Sequence, residues 1–137
     1  MARHSPSAPR APTDQLRSTE RQRTGARAEQ RACDFLERAG IVILTRNYRC
    51  RLGELDIVAR AGAVLVIAEV RCRASDAFGG AAASITRRKQ RRIVRATRHL
   101  LARHPPLQRL PVRFDALLVP CEEDAPIQWL RGAFDAG

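Results

Sequence analysis

Residues 53–73, GELDIVARAGAVLVIAEVRCR, contain the pattern that decides the fold. Polar and apolar side chains alternate over residues 54–59, which predicts a strand with one buried face. Residues 64–70 are almost continuously apolar and β-branched, as is typical of a central strand buried on both faces. The residues between them, 60–63, include Gly62 and predict a tight turn. This stretch is therefore predicted to form a β-hairpin inside a sheet.

The flanking segments extend the hairpin into a mixed α/β fold. The predicted elements are, in chain order, a helix over 25–39, strands over 41–48, 54–59 and 64–70, a helix over 86–103, and strands over 112–119 and 127–130. Gly40 ends the first helix, and the pair Pro105-Pro106 ends the second. The order α-β-β-β-α-β-β predicts one mixed sheet with helices packed on it.

Length and composition favour a single folded domain. The chain has 137 residues, and 45% of them are hydrophobic, which is enough for a core and excludes wholesale disorder. No apolar run approaches the roughly 20 residues of a membrane helix. No apolar stretch follows the basic residues at the N terminus, so we expect no signal peptide. The protein is therefore expected in the cytoplasm, with no membrane partner.

The cysteines predict neither a zinc site nor a disulfide framework. The sequence contains no C-x-x-C pair, and its three histidines do not lie at zinc-ligand spacing from the cysteines. We interpret the four thiols as reduced and used as small packing groups. They belong to Cys33, Cys50, Cys72 and Cys121.

Positive charge is concentrated in two segments. The formal net charge is +11, and of the 25 basic residues only Lys89 is a lysine. Residues 1–24 hold five arginines against two acids, with three prolines and three serines, which predicts a disordered basic tail. Residues 25–137 then form the folded domain. Within it, residues 86–103 hold eight basic residues and no acid, whereas the remainder holds 12 of each sign.

The helix predicted over 86–103 is amphipathic, with apolar residues on one side and arginines on the other. Because a solvated helix face normally mixes charges, we interpret the arginine side as a nucleic-acid-binding face. The alternative is a compositional bias toward arginine. The arginine face comprises Arg87, Arg88, Arg91, Arg92, Arg95 and Arg98. Lys89 and Gln90 fall toward the apolar side.

Acidic residues are expected to meet on one face of the hairpin. With an even-numbered loop around Gly62, Glu54, Asp56, Glu69 and Arg71 share a face. For a two-residue turn we expect Glu54 directly opposite Glu69 and Asp56 diagonal to it. Adjacent carboxylates near a buried strand are costly unless a proton or a cation offsets their charge, and Mg²⁺ suits such a site. The alternative is acids in water that pair with nearby arginines.

The order and spacing of these motifs resemble the YraN-type family of small, largely uncharacterised bacterial proteins. Asp56, followed after a 12-residue gap by Glu69-Val70-Arg71, also resembles the PD-(D/E)xK signature of restriction-endonuclease-like nucleases. The motifs that match are Gly25-x-x-Ala28-Glu29, Gly53-Glu54-Leu55-Asp56, Glu69-Val70-Arg71-x-Arg73, residues 79–86 with Lys89-Gln90, and Val112-Arg113-Phe114-Asp115. The resemblance spans residues 25 to 131.

The resemblance implies a restriction-endonuclease-like αβββαβ core, with a mixed sheet flanked by helices. It also implies a site at Asp56, Glu69 and Arg71 that takes Mg²⁺ or Mn²⁺. The wider superfamily has lysine at the Arg71 position, and an arginine there stays protonated and cannot act as a base. We hypothesise that Lys89 supplies the missing ammonium group. The alternative is a lysine that extends along the apolar surface into water.

These observations predict an endonuclease-like protein that hydrolyses phosphodiester bonds in DNA or structured nucleic acid, with DNA favoured over RNA. The predicted catalytic residues are Asp56, Glu69, Arg71 and Lys89; the predicted metal ligands are Asp56, Glu69, Glu54 and Glu29; Gln90 joins the arginine face in binding nucleic acid. One alternative is an adaptor that binds nucleic acid without cleaving it. Another is a module whose arginine face docks an acidic protein.

Overall fold

The computed structural model describes residues 12–73 and 85–136. The elements of these two ranges are α1 (Pro12–Arg38), β1 (Val42–Cys50), β2 (Gly53–Ala61), β3 (Val64–Arg73), α2 (Arg87–Arg103), β4 (Val112–Pro120) and β5 (Gln128–Phe134). A short 3₁₀ helix, Pro105–Arg109, joins α2 to β4. The predicted order of helices and strands is confirmed. The loop predicted between β3 and α2, residues 74–84, lies outside the described ranges.

The five strands form one mixed sheet in the order β1-β2-β3-β4-β5. All neighbours are antiparallel except β3 and β4, which run parallel. A parallel pair needs a crossover connection, and α2 lies between β3 and β4 in the chain. A mixed sheet flanked by two helices confirms the expected restriction-endonuclease-like α/β fold.

The sheet is covered on both faces, and β3 is buried between them. Leu65 and Ile67 of β3 belong to the core under α2, whereas Val66 and Ala68 belong to the core under α1. All four are at most 2% exposed. This arrangement explains the uninterrupted apolar run in the sequence, because a strand with two buried faces has no position for a solvated side chain.

Helix α2 lies close to the sheet because its inner face is small or apolar. Its buried residues are Ile93, Val94, Ala96, Thr97 and Leu100. Thr86 caps its N terminus, since the Thr86 hydroxyl accepts a hydrogen bond of 3.1 Å from the backbone N–H of Lys89. At Gly53 the backbone of α2 approaches so closely that a Cβ would lie 2.9 Å from the carbonyl oxygen of Arg92.

Helix α1 begins at Pro12 and not at residue 25, where the apolar periodicity begins. Proline suits the first turn of a helix because its φ is already helical and its missing N–H would have no partner there. Residues 12–24 of the predicted tail therefore continue α1, and residues 1–11 lie outside the described ranges. Neither α1 nor α2 carries an apolar stretch that could cross a membrane.

The cysteines differ in burial, and only some act as packing groups. Cys33 is buried in the core under α1, and Cys50 is half-buried. Cys72 and Cys121 are exposed. The interpretation of the thiols as packing groups therefore holds for Cys33 and is wrong for Cys72 and Cys121, because the chain places these two at the ends of strands.

We expect Gly53→Ala to lower the free energy of unfolding by about 1–3 kcal/mol, because the new methyl group meets a helix backbone that cannot move alone. Urea denaturation measures the change. Gly25→Ala in α1 is the matched control, since its Cβ would meet nothing within 4 Å. Alanine also favours a helix, so the control should be neutral or stabilising by up to about 1 kcal/mol. Equal effects of the two substitutions would contradict the close approach of α2.

Candidate functional site

The candidate site lies where β2 and β3 separate. Their ladder runs from Ala61 opposite Val64 to Ile57 opposite Ala68. Beyond that pair, the Asp56 carboxylate accepts a hydrogen bond of 2.9 Å from the backbone N–H of Val70. The Asp56 side chain thus replaces a backbone acceptor for the Val70 N–H where the ladder ends, and this hydrogen bond holds Asp56 against β3.

The observed register corrects one prediction about the hairpin. The two-residue turn at Gly62 pairs Ala61 with Val64, so the next positions after the last ladder pair are Asp56 and Glu69. The prediction that Glu54 lies directly opposite Glu69 is wrong by two residues. Glu54 is exposed, and its carboxylate lies 3.5 Å from the Nε of Arg49.

Glu69 is a nearly buried acid in contact with a second acid. Glu69 is 7% exposed and lies on the face of β3 that carries Leu65 and Ile67. Burial raises the pKa of Glu69 to about 8, and both a hydrogen bond to Asp56 and the negative charge of Asp56 add to this shift. The positive charges of Lys89 and Arg71 oppose it. Its Oε2 atom is buried and has no hydrogen-bond partner in the described part of the chain.

Lys89 forms an ion pair with Glu69 at this buried oxygen. Its Nζ lies 3.6 Å from Oε2 of Glu69, and its side chain is partly exposed. The cap at Thr86 starts α2 so that Lys89, in the first turn, is directed toward the sheet. The structure therefore brings together Asp56, Glu69 and Lys89, with Arg71 close enough to affect the pKa of Glu69.

A narrow recess contains both acids. Its lining in the described residues comprises Glu54, Leu55, Asp56, Ile67, Ala68, Glu69, Ile93, Asp115 and Phe134. Leucine, isoleucine and phenylalanine side chains form much of this lining, so charges inside the recess are poorly solvated. A proton or a cation is then favoured beside the two carboxyl groups.

Glu29 lies elsewhere. It belongs to α1, which packs on the sheet face opposite to α2, and it is not among the described residues that line the recess. Its Oε1 accepts hydrogen bonds from Asn47 at 2.8 Å and from Arg46 at 3.1 Å. Asn47 has a positive φ of 53°, so this bond also holds β1 in an unusual backbone conformation. The structure gives Glu29 a role in joining α1 to β1.

Asp115 is a buried acid to which the sequence assigned no role. It is fully buried and accepts hydrogen bonds from Arg113, from the indole N–H of Trp129 and from the backbone N–H of Gly132. These donors bridge β4 to β5 where their register shifts. The spacing Arg113-x-Asp115 could have predicted the Arg113–Asp115 pair, since residues two apart on a strand share a face.

The arginine face of α2 is exposed and borders a groove. The groove has a volume of about 380 Å³, and its lining comprises Arg87, Gln90, Arg91, Val94, Arg95, Arg98, Asp135 and Ala136. Four of the six predicted arginines thus face one channel between α2 and the residues after β5. Arg88 and Arg92 are exposed outside that lining. The Gln90 amide donates to the carbonyl of Ile85 at 2.9 Å, so part of its hydrogen-bonding capacity is used locally.

The described residues contain no group of three or more histidine, cysteine or acidic side chains placed to hold a metal ion. Of the four acids in the described lining of the recess, Asp56 and Glu69 contact each other, whereas Glu54 is exposed and Asp115 accepts the hydrogen bonds described above. Of the four predicted ligands, the structure brings Asp56 and Glu69 into contact, leaves Glu54 at the rim and places Glu29 on the other helix.

In metal-free buffer we expect Glu69 to make stability depend on pH. The folded state raises its pKa from 4.5 to about 8, so the folded protein binds this proton more tightly than the unfolded chain. This contribution is fully present below about pH 4.5 and is lost as pH rises through about 8. Above that range, Glu69→Gln should be more stable than the wild type by on the order of a few kcal/mol.

Urea denaturation with a chelator at about pH 5, 7 and 9 measures this difference. Glu37→Gln is the matched control, because Glu37 is an exposed acid of α1. A wild type and a Glu69→Gln variant that lose stability in parallel would show that Glu69 is ionised at neutral pH.

Comparison with known proteins identifies the family. The profile of the uncharacterised protein family UPF0102 matches residues 28–119. A UPF0102 protein of Nitrosomonas europaea is 49% identical over 111 residues, which cover 81% of this chain and 92% of the relative. A UPF0102 protein of Alcanivorax borkumensis is 42% identical over 113 residues (81% and 90%), and one of Legionella pneumophila is 41% identical over 116 residues (85% and 98%). The resemblance to YraN-type proteins is confirmed, and the chain belongs to the UPF0102 family.

Proposed function

We propose that this protein is a metal-dependent nuclease that hydrolyses phosphodiester bonds in DNA or structured nucleic acid. The observation that carries the proposal is the contact between the Asp56 and Glu69 carboxyl groups, beside Lys89 and at the start of an arginine-rich helix. Acid and basic groups are thus adjacent where a metal ion and a phosphate would both be needed.

The two carboxyl groups fit a divalent cation. Without a cation, Asp56 and Glu69 can lie in contact because Glu69 holds a proton at neutral pH, as its raised pKa indicates. A cation would replace that proton and satisfy the orphan Oε2. Mg²⁺ binds through one or two carboxylates and completes its shell with waters and substrate phosphates, so a pair of acids is sufficient. Asp56 and Glu69 would hold it, aided by the Val70 carbonyl.

When bound, Mg²⁺ or Mn²⁺ supplies an activated water and neutralises charge on the phosphate. The chain's own cations act beside it. Lys89 and Arg71 would pair with the non-bridging oxygens of the phosphodiester and stabilise the charge that develops there. Arg71 remains protonated in this role and does not accept a proton from water.

The arginines of α2 would bind the nucleic-acid backbone. Arg87, Arg91 and Arg95 recur every four residues along one side of the groove, a rise of about 6 Å per step. Such contacts to phosphates fix the position of the substrate and carry no sequence information. Because only 4% of residues are aromatic, base stacking contributes little.

A second candidate function is binding without cleavage. Two observations favour it. Lys89 already lies 3.6 Å from Glu69, so a resident ammonium group offsets part of the acid charge without a metal. The residue two positions after Glu69 is Arg71, where the wider nuclease signature has lysine. An adaptor of this kind would keep the arginine groove and lose hydrolysis.

Cleavage of linear and branched DNA with Mg²⁺ or Mn²⁺ separates these functions. We expect Asp56→Asn and Glu69→Gln each to lower the cleavage rate by about 10²-fold or more, because each removes a charged ligand. Glu37→Gln, an exposed acid on α1, should cleave like the wild type. Cleavage that survives both site substitutions would discard the proposed site. Binding without cleavage of any substrate by the wild type would establish the adaptor.

The salt dependence of DNA binding tests the arginine face. Six phosphate contacts should cost about 10³-fold in affinity between about 50 and 200 mM salt. Arg91→Gln and Arg95→Gln should each reduce the slope of log affinity against log salt by about 1. Arg109→Gln, an exposed arginine outside α2, is the matched control. A flat salt response would instead favour an acidic protein as the partner of this face.

A further inference from the structure

A second chemically distinctive cluster lies on the α1 side of the sheet, apart from the acidic recess. Cys72 and Cys121 line one cavity of about 220 Å³, together with Arg27, Arg31 and Glu123. Both cysteine residues are exposed at the protein surface. The lining of this cavity therefore combines two cysteine residues with two arginine residues.

The register of the sheet places the two cysteines near each other. β3 and β4 run parallel with Cys72 opposite Val119, so Cys121 follows two residues later on the same face. A straight continuation of β4 would separate the two Cα atoms by about 8 Å, whereas disulfides span about 4.4–6.8 Å. β4 ends at Pro120 and the chain bends at the exposed Cys121, so closing the bond requires this segment to move by about 1 Å or more toward β3.

Arg31 holds the segment that follows β4 against α1. Its guanidinium donates to the carbonyl oxygens of Pro120 at 2.6 Å, Glu123 at 3.3 Å and Ala125 at 3.3 Å. These three bonds span both sides of Cys121 and keep it at the rim of the cavity that Cys72 lines. The same guanidinium lowers the pKa of Cys72, against the larger opposing effect of desolvation.

The electrostatic surroundings of Cys72 include Cys121. Partial desolvation and the neighbouring Cys121 raise the pKa of Cys72, and Arg31 lowers it. Exchange at this pair should accordingly become faster as pH rises, because the thiolate is the nucleophile.

We propose that Cys72 and Cys121 are a reversible modification site that forms an intramolecular disulfide by exchange with a small anionic disulfide such as oxidised glutathione. Arg27 and Arg31 attract the anionic reagent to the cavity. The proposal is independent of the nuclease function.

The exchange balances in two steps. The Cys121 thiolate attacks one sulfur of oxidised glutathione, the glutathione S–S bond breaks, and one glutathione thiolate leaves. The Cys72 thiolate then attacks the Cys121 sulfur of this mixed disulfide and releases the second glutathione thiolate. The two protein thiols lose two electrons, which reduce one oxidised glutathione to two glutathione thiols, and these take up the two protons that the protein thiols release.

The product would join the C-terminal end of β3 to the residue after β4 by a covalent bond. These positions are 49 residues apart in the chain, so the bond closes a long loop and restricts the unfolded state. Glu69 lies three residues before Cys72 on the same strand, so the bond would also stiffen the strand that carries the buried acid.

Mass spectrometry of the full chain tests the proposal. The protein is incubated with oxidised glutathione, denatured and alkylated. Before alkylation we expect a mass about 2 Da below that of the reduced protein. Alkylation should then modify two cysteines, Cys33 and Cys50, and the peptide map should contain a cross-link between residues 72 and 121. The melting temperature should rise by several degrees and return to its initial value with dithiothreitol.

Serine variants provide the controls. Cys72→Ser and Cys121→Ser change exposed side chains, and each should retain one bound glutathione in place of the internal bond. Cys50→Ser should form the bond like the wild type. A wild type that keeps a stable glutathione adduct, forms linked dimers or joins other cysteines would overturn the proposal.

Discussion

The register of β2 against β3 is the constraint on which the candidate site depends. A turn of two residues pairs Ala61 with Val64, and each later pair follows from that one. At the far end of the hairpin the ladder stops, and the Asp56 carboxylate takes the N–H of Val70 as its donor. Glu69 is thereby held beside a second acid on a strand with two covered faces. A loop longer by one residue would turn Asp56 to the other face and leave Glu69 alone.

At the candidate site, acids of the sheet meet cations at the N-terminal end of α2. β2 and β3 contribute Asp56 and Glu69, and α2 contributes cations without an acid along its length. Lys89 stands at the junction, since it belongs to the first turn of the helix and contacts Glu69 of the sheet. The close approach of α2, which Gly53 permits, keeps these opposite charges within reach of each other.

The sequence predicted which strands carry the site better than it predicted which residues belong to the site. Asp56 and Glu69 were predicted to share a face, because parity along two paired strands depends only on the loop length. The prediction that Glu54 lies directly opposite Glu69 was wrong, since an even or odd loop length decides which residues share a face and does not decide which residues pair. Glu29 was predicted as a metal ligand, but hydrogen bonds from Arg46 and Asn47 of β1 decide where its carboxylate lies. The role of Asp115 was missed because two of its donors, Trp129 and Gly132, come from β5, whose register against β4 shifts at this point.

By itself, the sequence determined the order of helices and strands, the burial of β3 on two faces and the arginine face of α2. Each of these follows from local periodicity, which a single segment displays without its neighbours. Only the tertiary structure decided that one oxygen of Glu69 is buried with no hydrogen-bond donor among the described residues, that Lys89 lies 3.6 Å from it, and that Cys72 and Cys121 line one cavity. These facts depend on how separate segments approach in space, and neither spacing nor composition along one chain contains those distances.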